Sequence, residues 1–428
     1  MRFTEQRKLL QNRQFLYLWL EQVFTQFSYN LLNFSLIVSV FKLTKSNFSV
    51  SLLLLCIYIP SIINAPIAGI VSDHFHRKKV MITANLIWAT LVLGFLIARH
   101  NFLLILPLTI LIQITDEFFQ NANGATIPSV VEEKYLMIAN TFFSFTSYIC
   151  MILGSILVGL LIRLFSPDAP FILAAALVYL GTYFVSKLQF EQKMIKMHKN
   201  REIYKHVIVE IKKGWDYIRS SKIMSLLVTF IVTLNGLLSL LLTISPGFVE
   251  TVLGIEAADA SFIFVLPLAI GLICAGLVIN RFGQKMRKIE FIQKGMILIG
   301  FCLLFLAIIT KSAKVAGFTT KKTTNFEAKL GISLPLTFVV ALLGFGGALV
   351  FVPASTLFQE TIPEQLRGRV LSTNTLLTYI FSAILIFFSG FLADHIGFFP
   401  FLALLSGAGI FFGFFSRKIL VENKILER

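Results

Sequence analysis

Twelve apolar runs, separated by short polar or charged connections, set the pattern of this chain. They cover residues 15–41, 48–72, 79–98, 102–124, 137–163 and 170–187, then 223–247, 260–280, 289–310, 333–357, 370–393 and 398–416. A helix needs about 20 predominantly apolar residues to cross the hydrocarbon of a bilayer, and each run is of that order. The period-two alternation of a membrane β-barrel is absent. The pattern therefore predicts an all-α membrane protein with twelve transmembrane helices, divided into an N-terminal six-helix bundle over 1–187 and a C-terminal one over 223–428. The intervening segment, 188–222, is charged, yet Ile203, Val207, Ile211, Trp215 and Ile218 recur in it at helical spacing. That periodicity predicts an amphipathic helix lying on the membrane surface or under the bundle. A second long connection, 311–332, is rich in Lys and Thr and is expected to be an external, loose loop.

Composition strengthens this picture. Of the 428 residues 56% are hydrophobic and only 14% are Asp, Glu, Lys or Arg, against about 25% charged in soluble domains. A water-soluble fold of this length has too little interior to hide so much apolar surface. The N-terminus is polar and the first apolar run too long for the core of a signal peptide, so no cleaved leader is expected. Cys56, Cys150, Cys274 and Cys302 all lie inside apolar runs, without the spacing of a disulfide frame or a zinc site.

The net charge of +16 would suggest nucleic-acid binding in a soluble protein. Here it has a different reading. With the N-terminus placed inside, 29 of the 38 Lys and Arg residues fall on inner segments and 9 on outer ones, as the positive-inside rule requires. Both termini are then cytoplasmic, the membrane is the plasma membrane, and no nucleic-acid partner is implied.

Two connections carry a repeated motif. The first reads Gly69-Ile-Val-Ser-Asp73-His74-Phe75-His76-Arg77-Lys78-Lys79, and the second, 207 residues later, Gly276-Leu-Val-Ile-Asn280-Arg281-Phe282-Gly283-Gln284-Lys285. Each lies between the second and third helix of its half, so the halves form an internal repeat of parallel type. Glycine lets two helices approach closely. A carboxylate at a helix end can accept hydrogen bonds from the free N–H groups that begin another helix. Such a contact latches one conformational state and breaks in another.

The first copy resembles the signature of the major facilitator superfamily, Gly-x-x-x-Asp-Arg-x-Gly-Arg-Arg/Lys-Lys. Gly69, Asp73, Arg77, Lys78 and Lys79 match, whereas His74 replaces Arg and His76 replaces Gly. In the second copy Arg281 and Gly283 match and Asn280 replaces Asp. The stretches Ile362–Val370, Lys213–Arg219 and Asn12–Trp19 are similar to the branch of bacterial macrolide, siderophore and multidrug exporters. The resemblance spans essentially the whole chain. It implies twelve helices in two six-helix halves related by a pseudo-twofold axis, rocking about a central cavity lined in part by helices 1 and 4. One departure is the Gly154–Gly159 stretch of helix 5, which has no proline where family antiporters usually carry a Gly/Pro-rich segment.

Polar residues inside a bilayer usually face a cavity or a partner helix. On helix 4, Gln113, Asp116, Glu117, Gln120 and Asn123 fall within about 120° of arc. On helix 1, Gln22, Gln26, Tyr29 and Asn33 fall within about 60°, flanked by Glu21 and Thr25. At 1.5 Å per residue, Glu21 sits about 9 Å and Glu117 about 10 Å from the inner ends of their helices. Glu21, Asp116 and Glu117 are thus expected to form one acidic cluster. Carboxylates crowded together in a low dielectric are equipped to hold and pass a proton, and they favour cationic amphiphiles. Helix 7 carries no charge from Ser225 to Gly247, and helix 10 offers little beyond Ser355, Thr356 and Gln359. One wall is expected to be acidic and the other apolar.

These features predict a secondary transporter, in which a proton or other cation gradient drives efflux of amphiphilic, drug-like or macrolide-like small molecules through a monomer. A lipid or lysophospholipid flippase of the same fold, and a membrane receptor or scaffold without transport, are the competing readings. No HExxH, GxSxG, Walker or DxDxDG pattern occurs, so neither an enzyme nor direct use of ATP is expected. No cofactor or metal is expected; His74 and His76 read as solvated loop residues.

Overall fold

The computed structural model describes residues 2–190, 200–282, 287–315 and 326–422, less the side chains of 2–6, 65, 66, 73, 200–208, 282, 312–315, 326–333, 364 and 415–422. Every long element among them is a helix, and the residues fall into two compact units. Eleven helices are long and apolar enough to cross a membrane, and a further apolar helix runs over Phe398–Phe414. The protein is therefore an integral, multi-pass membrane protein. Large apolar side chains such as Ile97, Leu103, Leu277 and Phe338 point outward, as lipid-facing surfaces require.

Unit 1 comprises residues 1–44 and 55–207. Its helices are α1 (Arg2–Gln11), α2 (Arg13–Thr44), the body of α3 (Asn47–His74), α4 (Arg77–Ala98), α5 (Phe102–Val130), α6 (Leu136–Leu164) and α7 (Ala169–Lys187). Asn12 separates α1 from α2 and caps α2, its Oδ1 accepting from the Gln14 and Phe15 N–H groups at 3.0 and 3.3 Å. Its amide also donates to the Val130 carbonyl at 2.8 Å, tying α2 to the end of α5. Asn101 caps α5 in the same manner, accepting from Leu103 at 2.9 Å. Side-chain oxygens of this kind satisfy N–H groups that a helix cannot bond internally. Within the unit α2 packs on α6 and α7, and α4 packs on α5 and α7.

Unit 2 comprises residues 45–54 and 208–428, so the first turns of α3 belong to it. Its other helices are α8 (Asn200–Ser220), α9 (Lys222–Leu253), α10 (Leu266–Phe282), α11 (Lys288–Val315), α12 (Phe326–Thr361), α13 (Arg367–His395) and α14 (Phe398–Glu422). Ser221 caps α9, and Gly254 ends it at φ 64°, a left-handed conformation that glycine adopts without strain. Here α9 packs on α12 and α13, and α11 packs on α12 and α14. These pairings repeat those of α2 with α5 and α6, and of α4 with α5 and α7.

One connection differs from the sequence pattern. The span 311–332 is not all loop, because α11 continues to Val315 and α12 begins at Phe326; residues 316–325 lie outside the described ones. The segment 188–222 contains the helix α8, whose apolar residues gather on one side. Ile218 is buried, Ile211 half-buried and Trp215 exposed, while the side chains of Ile203 and Val207 are not described. The helix docks on the start of α13 through its small residue: a Cβ on Gly214 would run into the Thr373 hydroxyl and the Arg369 carbonyl. Thr373 donates to the Ile211 carbonyl at 3.3 Å, Tyr217 donates to the Thr361 carbonyl at 3.1 Å, and Glu210 pairs with Arg369.

Candidate functional site

The polar stripe of α5 meets α2, α3 and α4 inside unit 1. Gln113 is its junction. Its amide donates to the Ser61 hydroxyl of α3 at 2.9 Å and to Glu117 at 3.5 Å, and its carbonyl accepts from the Tyr29 hydroxyl of α2 at 3.4 Å. Ser61 in turn donates to the Ile57 carbonyl of its own helix at 3.1 Å. Glu117 is half-buried. One turn away Gln120 donates to Asp116 at 3.4 Å. Asp116 lies near enough to Glu117, and to Glu21 on α2, for their charges to interact. The three carboxylates thus form a chain from α2 to α5. Among the described residues no Lys, Arg or His forms an ion pair with any of them.

Glu21 differs from the other two in its surroundings. It is 0% exposed, so its head does not snorkel to an interface. Asn85 of α4 donates to Oε1 at 3.4 Å, and Oε2 is buried without a hydrogen-bond partner. The backbone beside it packs on Gly181 of α7. Gln22 also leaves the predicted stripe: its amide donates to the Phe143 carbonyl and the Ser147 hydroxyl of α6, each at 3.2 Å. It binds two helices together. Gln26 and Asn33 are half-buried, and Asn123 is buried with its Oδ1 unpartnered.

The repeated connections behave differently from one another. Gly69 faces Asn121 of α5, whose Oδ1 would lie 3.8 Å from an added Cβ. Arg77 crosses to the end of α5, donating to the Ala125 carbonyl at 2.7 Å and the Ser129 hydroxyl at 3.3 Å. Lys78 donates to the Leu188 carbonyl at 2.8 Å, and Lys79 is exposed. The side chain of Asp73 lies outside the described residues, as do Gly283 and Lys285. Asn280 and Arg281 are exposed. Gly276 has nothing within 4 Å of an added Cβ, so close approach is not its role. That role falls to Gly271, five residues earlier, where a Cβ would run into the Ala341 carbonyl of α12.

In unit 2, Ser355, Thr356 and Gln359 line one cavity of about 440 Å³ with Phe351, Glu360 and Arg367. Lys288 holds Glu360 at 2.6 Å. No group of three or more His, Cys, Asp or Glu is placed to hold a metal ion among the described residues. Sequence reasoning missed Ser61 and Asn85. Each is one polar residue in a mostly apolar helix, a signal that marks a partner without naming it.

A family model described as Major Facilitator Superfamily matches residues 18–380. An uncharacterised MFS-type transporter, YfiS of Bacillus subtilis, is 23% identical over 371 residues, covering 85% of this chain and 82% of that protein. Among solved structures, the peptide transporter PepTSo aligns over 97% of this chain and 99% of its own with a TM-score of 0.69 at 12% identity. The nucleoside transporter NupG aligns over 94% and 99% with a TM-score of 0.67 at 14% identity. At such identities these two likenesses speak for the fold alone.

Proposed function

Because the chain belongs to the Major Facilitator Superfamily, and is thus a membrane transporter of that type, we propose that it exports amphiphilic, preferably cationic, small molecules in exchange for protons. It works in the plasma membrane with both termini cytoplasmic, as a monomer, exposing its binding site first to one side and then to the other. The supporting observation is the chain of three carboxylates in unit 1 that no described basic residue neutralises. An uncompensated carboxylate inside a membrane needs a cation, and a proton and a cationic substrate are alternative occupants. Glu117 takes the exchanging role, because it is half-buried and held by Gln113, which Ser61 in turn positions. Release of a cationic substrate is then favoured on the side richer in protons.

The test is flux of several dyes and antibiotics in proteoliposomes, with and without a pH gradient; peptides and nucleosides, the cargo of the structural neighbours, complete the panel. Wild-type flux should rise at least tenfold with the gradient, and Glu117→Gln should remove that dependence. Retained coupling in Glu117→Gln takes the residue out of this role. Competition by lysolipid but by no drug moves the substrate class to lipids.

A further inference from the structure

Three helix ends of unit 1 meet around a cavity that the transport site does not use. α7 stops at Lys187, and Leu188 leaves it in an extended conformation. Residues 188–190 then run beside the first turn of α4. Lys78 holds them there, donating to the Leu188 carbonyl at 2.8 Å, and the Gln189 N–H donates to the Gln14 side chain of α2 at 2.8 Å. The His76 ring lies 6.1 Å from that of Phe190, centre to centre, at 51°. His76, Lys78, Leu188, Gln189 and Phe190 line a cavity of about 580 Å³.

The polar chemistry of this cavity is one-sided. None of the five lining residues is acidic. Lys78 forms no ion pair among the described residues, and its acceptor is a neutral carbonyl. An ammonium has three N–H donors, so two remain for another partner. His76 is half-buried, not solvated as its loop position suggests. It precedes α4, yet its side chain makes no capping bond and its Nδ1 is buried without a partner. The amino end of α4, positive by its peptide dipoles, begins between His76 and Lys78. The family signature has glycine where this chain has His76, so the ring is a property of this chain and not of the family.

We propose that the cavity binds a phosphate group, with Lys78 as the cation and His76 and Gln189 as further N–H donors. A phosphate offers several acceptor oxygens in different directions, which matches donors arriving from two separate segments of chain. The headgroup of an anionic phospholipid and a soluble phosphate share this chemistry. Either one ties the connection between α3 and α4 to the segment that leaves α7.

The test is the apparent affinity of the purified full chain for dioleoylphosphatidylglycerol and for dioleoylphosphatidylcholine, by native mass spectrometry. Wild type should favour the anionic lipid. Lys78→Gln should weaken its binding about tenfold, the worth of one charge-assisted hydrogen bond, and His76→Gly, which restores the signature residue, should weaken it severalfold. Lys78→Arg should keep it, which separates loss of the ligand from loss of the Leu188 contact. Lys79→Gln should also leave it unchanged, because Lys79 is exposed and outside the lining. Inorganic phosphate is then added as competitor: displacement of the lipid makes the source soluble phosphate as well, and retention restricts it to the headgroup, with the site upheld in both cases. Equal losses in Lys79→Gln and Lys78→Gln, or full binding in His76→Gly, overturn the proposal and reduce the preference to general surface charge.

Discussion

The two units share a packing scheme but differ in what joins their helices. In unit 1 side chains reach across. Trp19 donates to Thr146 at 2.8 Å, Gln22 to the Phe143 carbonyl at 3.2 Å, Gln113 to Ser61 at 2.9 Å, and Asn85 approaches Glu21 at 3.4 Å. In unit 2 backbones meet directly. An added Cβ would run into the Ala341 carbonyl from Gly271, the Leu268 carbonyl from Gly344 and the Gly346 carbonyl from Gly295. Lipid is as apolar as leucine, so neither unit is held by burial of apolar surface alone; hydrogen bonds and close packing are the two remaining means. Glu21, Asp116 and Glu117 belong to the first of these units, and most of the close backbone contacts to the second.

The comparison is most easily broken at unit 2's glycines. Gly271→Leu should displace α10 from α12 and cost about 3 kcal/mol or more, since a backbone carbonyl cannot step aside as a side chain can. The readout is the thermal midpoint and monodispersity of detergent-purified protein; an unchanged midpoint would refute backbone contact as the means of joining. In unit 1, Glu21→Ala leaves the Asn85 amide facing a void and should destabilise by about 1–3 kcal/mol, again read as a thermal midpoint. Trp19→Phe removes a single bond to Thr146 and should lose about 0.6 kcal/mol, the usual worth of an interhelical hydrogen bond in a membrane. Ser61→Ala should leave stability nearly unchanged but raise the half-saturating concentration of a cationic substrate severalfold, by loosening Gln113 and Glu117. The smallest effect belongs to Gly276→Ala, expected within about 0.5 kcal/mol of wild type because the site is open. A large loss there would restore the packing role that the repeated motif suggested.

Much of the architecture was legible because lipid is an exacting solvent. It demands long apolar helices, and the twelve runs answer it. The α5 stripe was legible for the same reason, since polar residues in a bilayer need partners. Periodicity gives an angle about the helix axis but not the neighbour standing there. Gln22, in the stripe, and Glu21, beside it, therefore looked as if they faced one cavity, although one bonds α6 and the other Asn85 of α4. Glycines were harder still. Gly276 matches Gly69 in the repeat, yet Gly271 makes the contact, because closeness depends on where two helix axes cross.

The Asp394 carboxylate at the end of α13 accepts from the Asn47 and Phe48 N–H groups that begin α3, at 3.1 and 2.9 Å, and this bears on how the protein is made. Asn47 and Asp394 are 347 positions apart in the chain. At synthesis rates of about 5–20 residues per second, the α3 amino end waits tens of seconds for its acceptor. During that interval its first N–H groups have no Asp394 to meet, and lipid headgroups or water must serve. The first half of the polypeptide thus enters the bilayer before one of its own helices has a place to end.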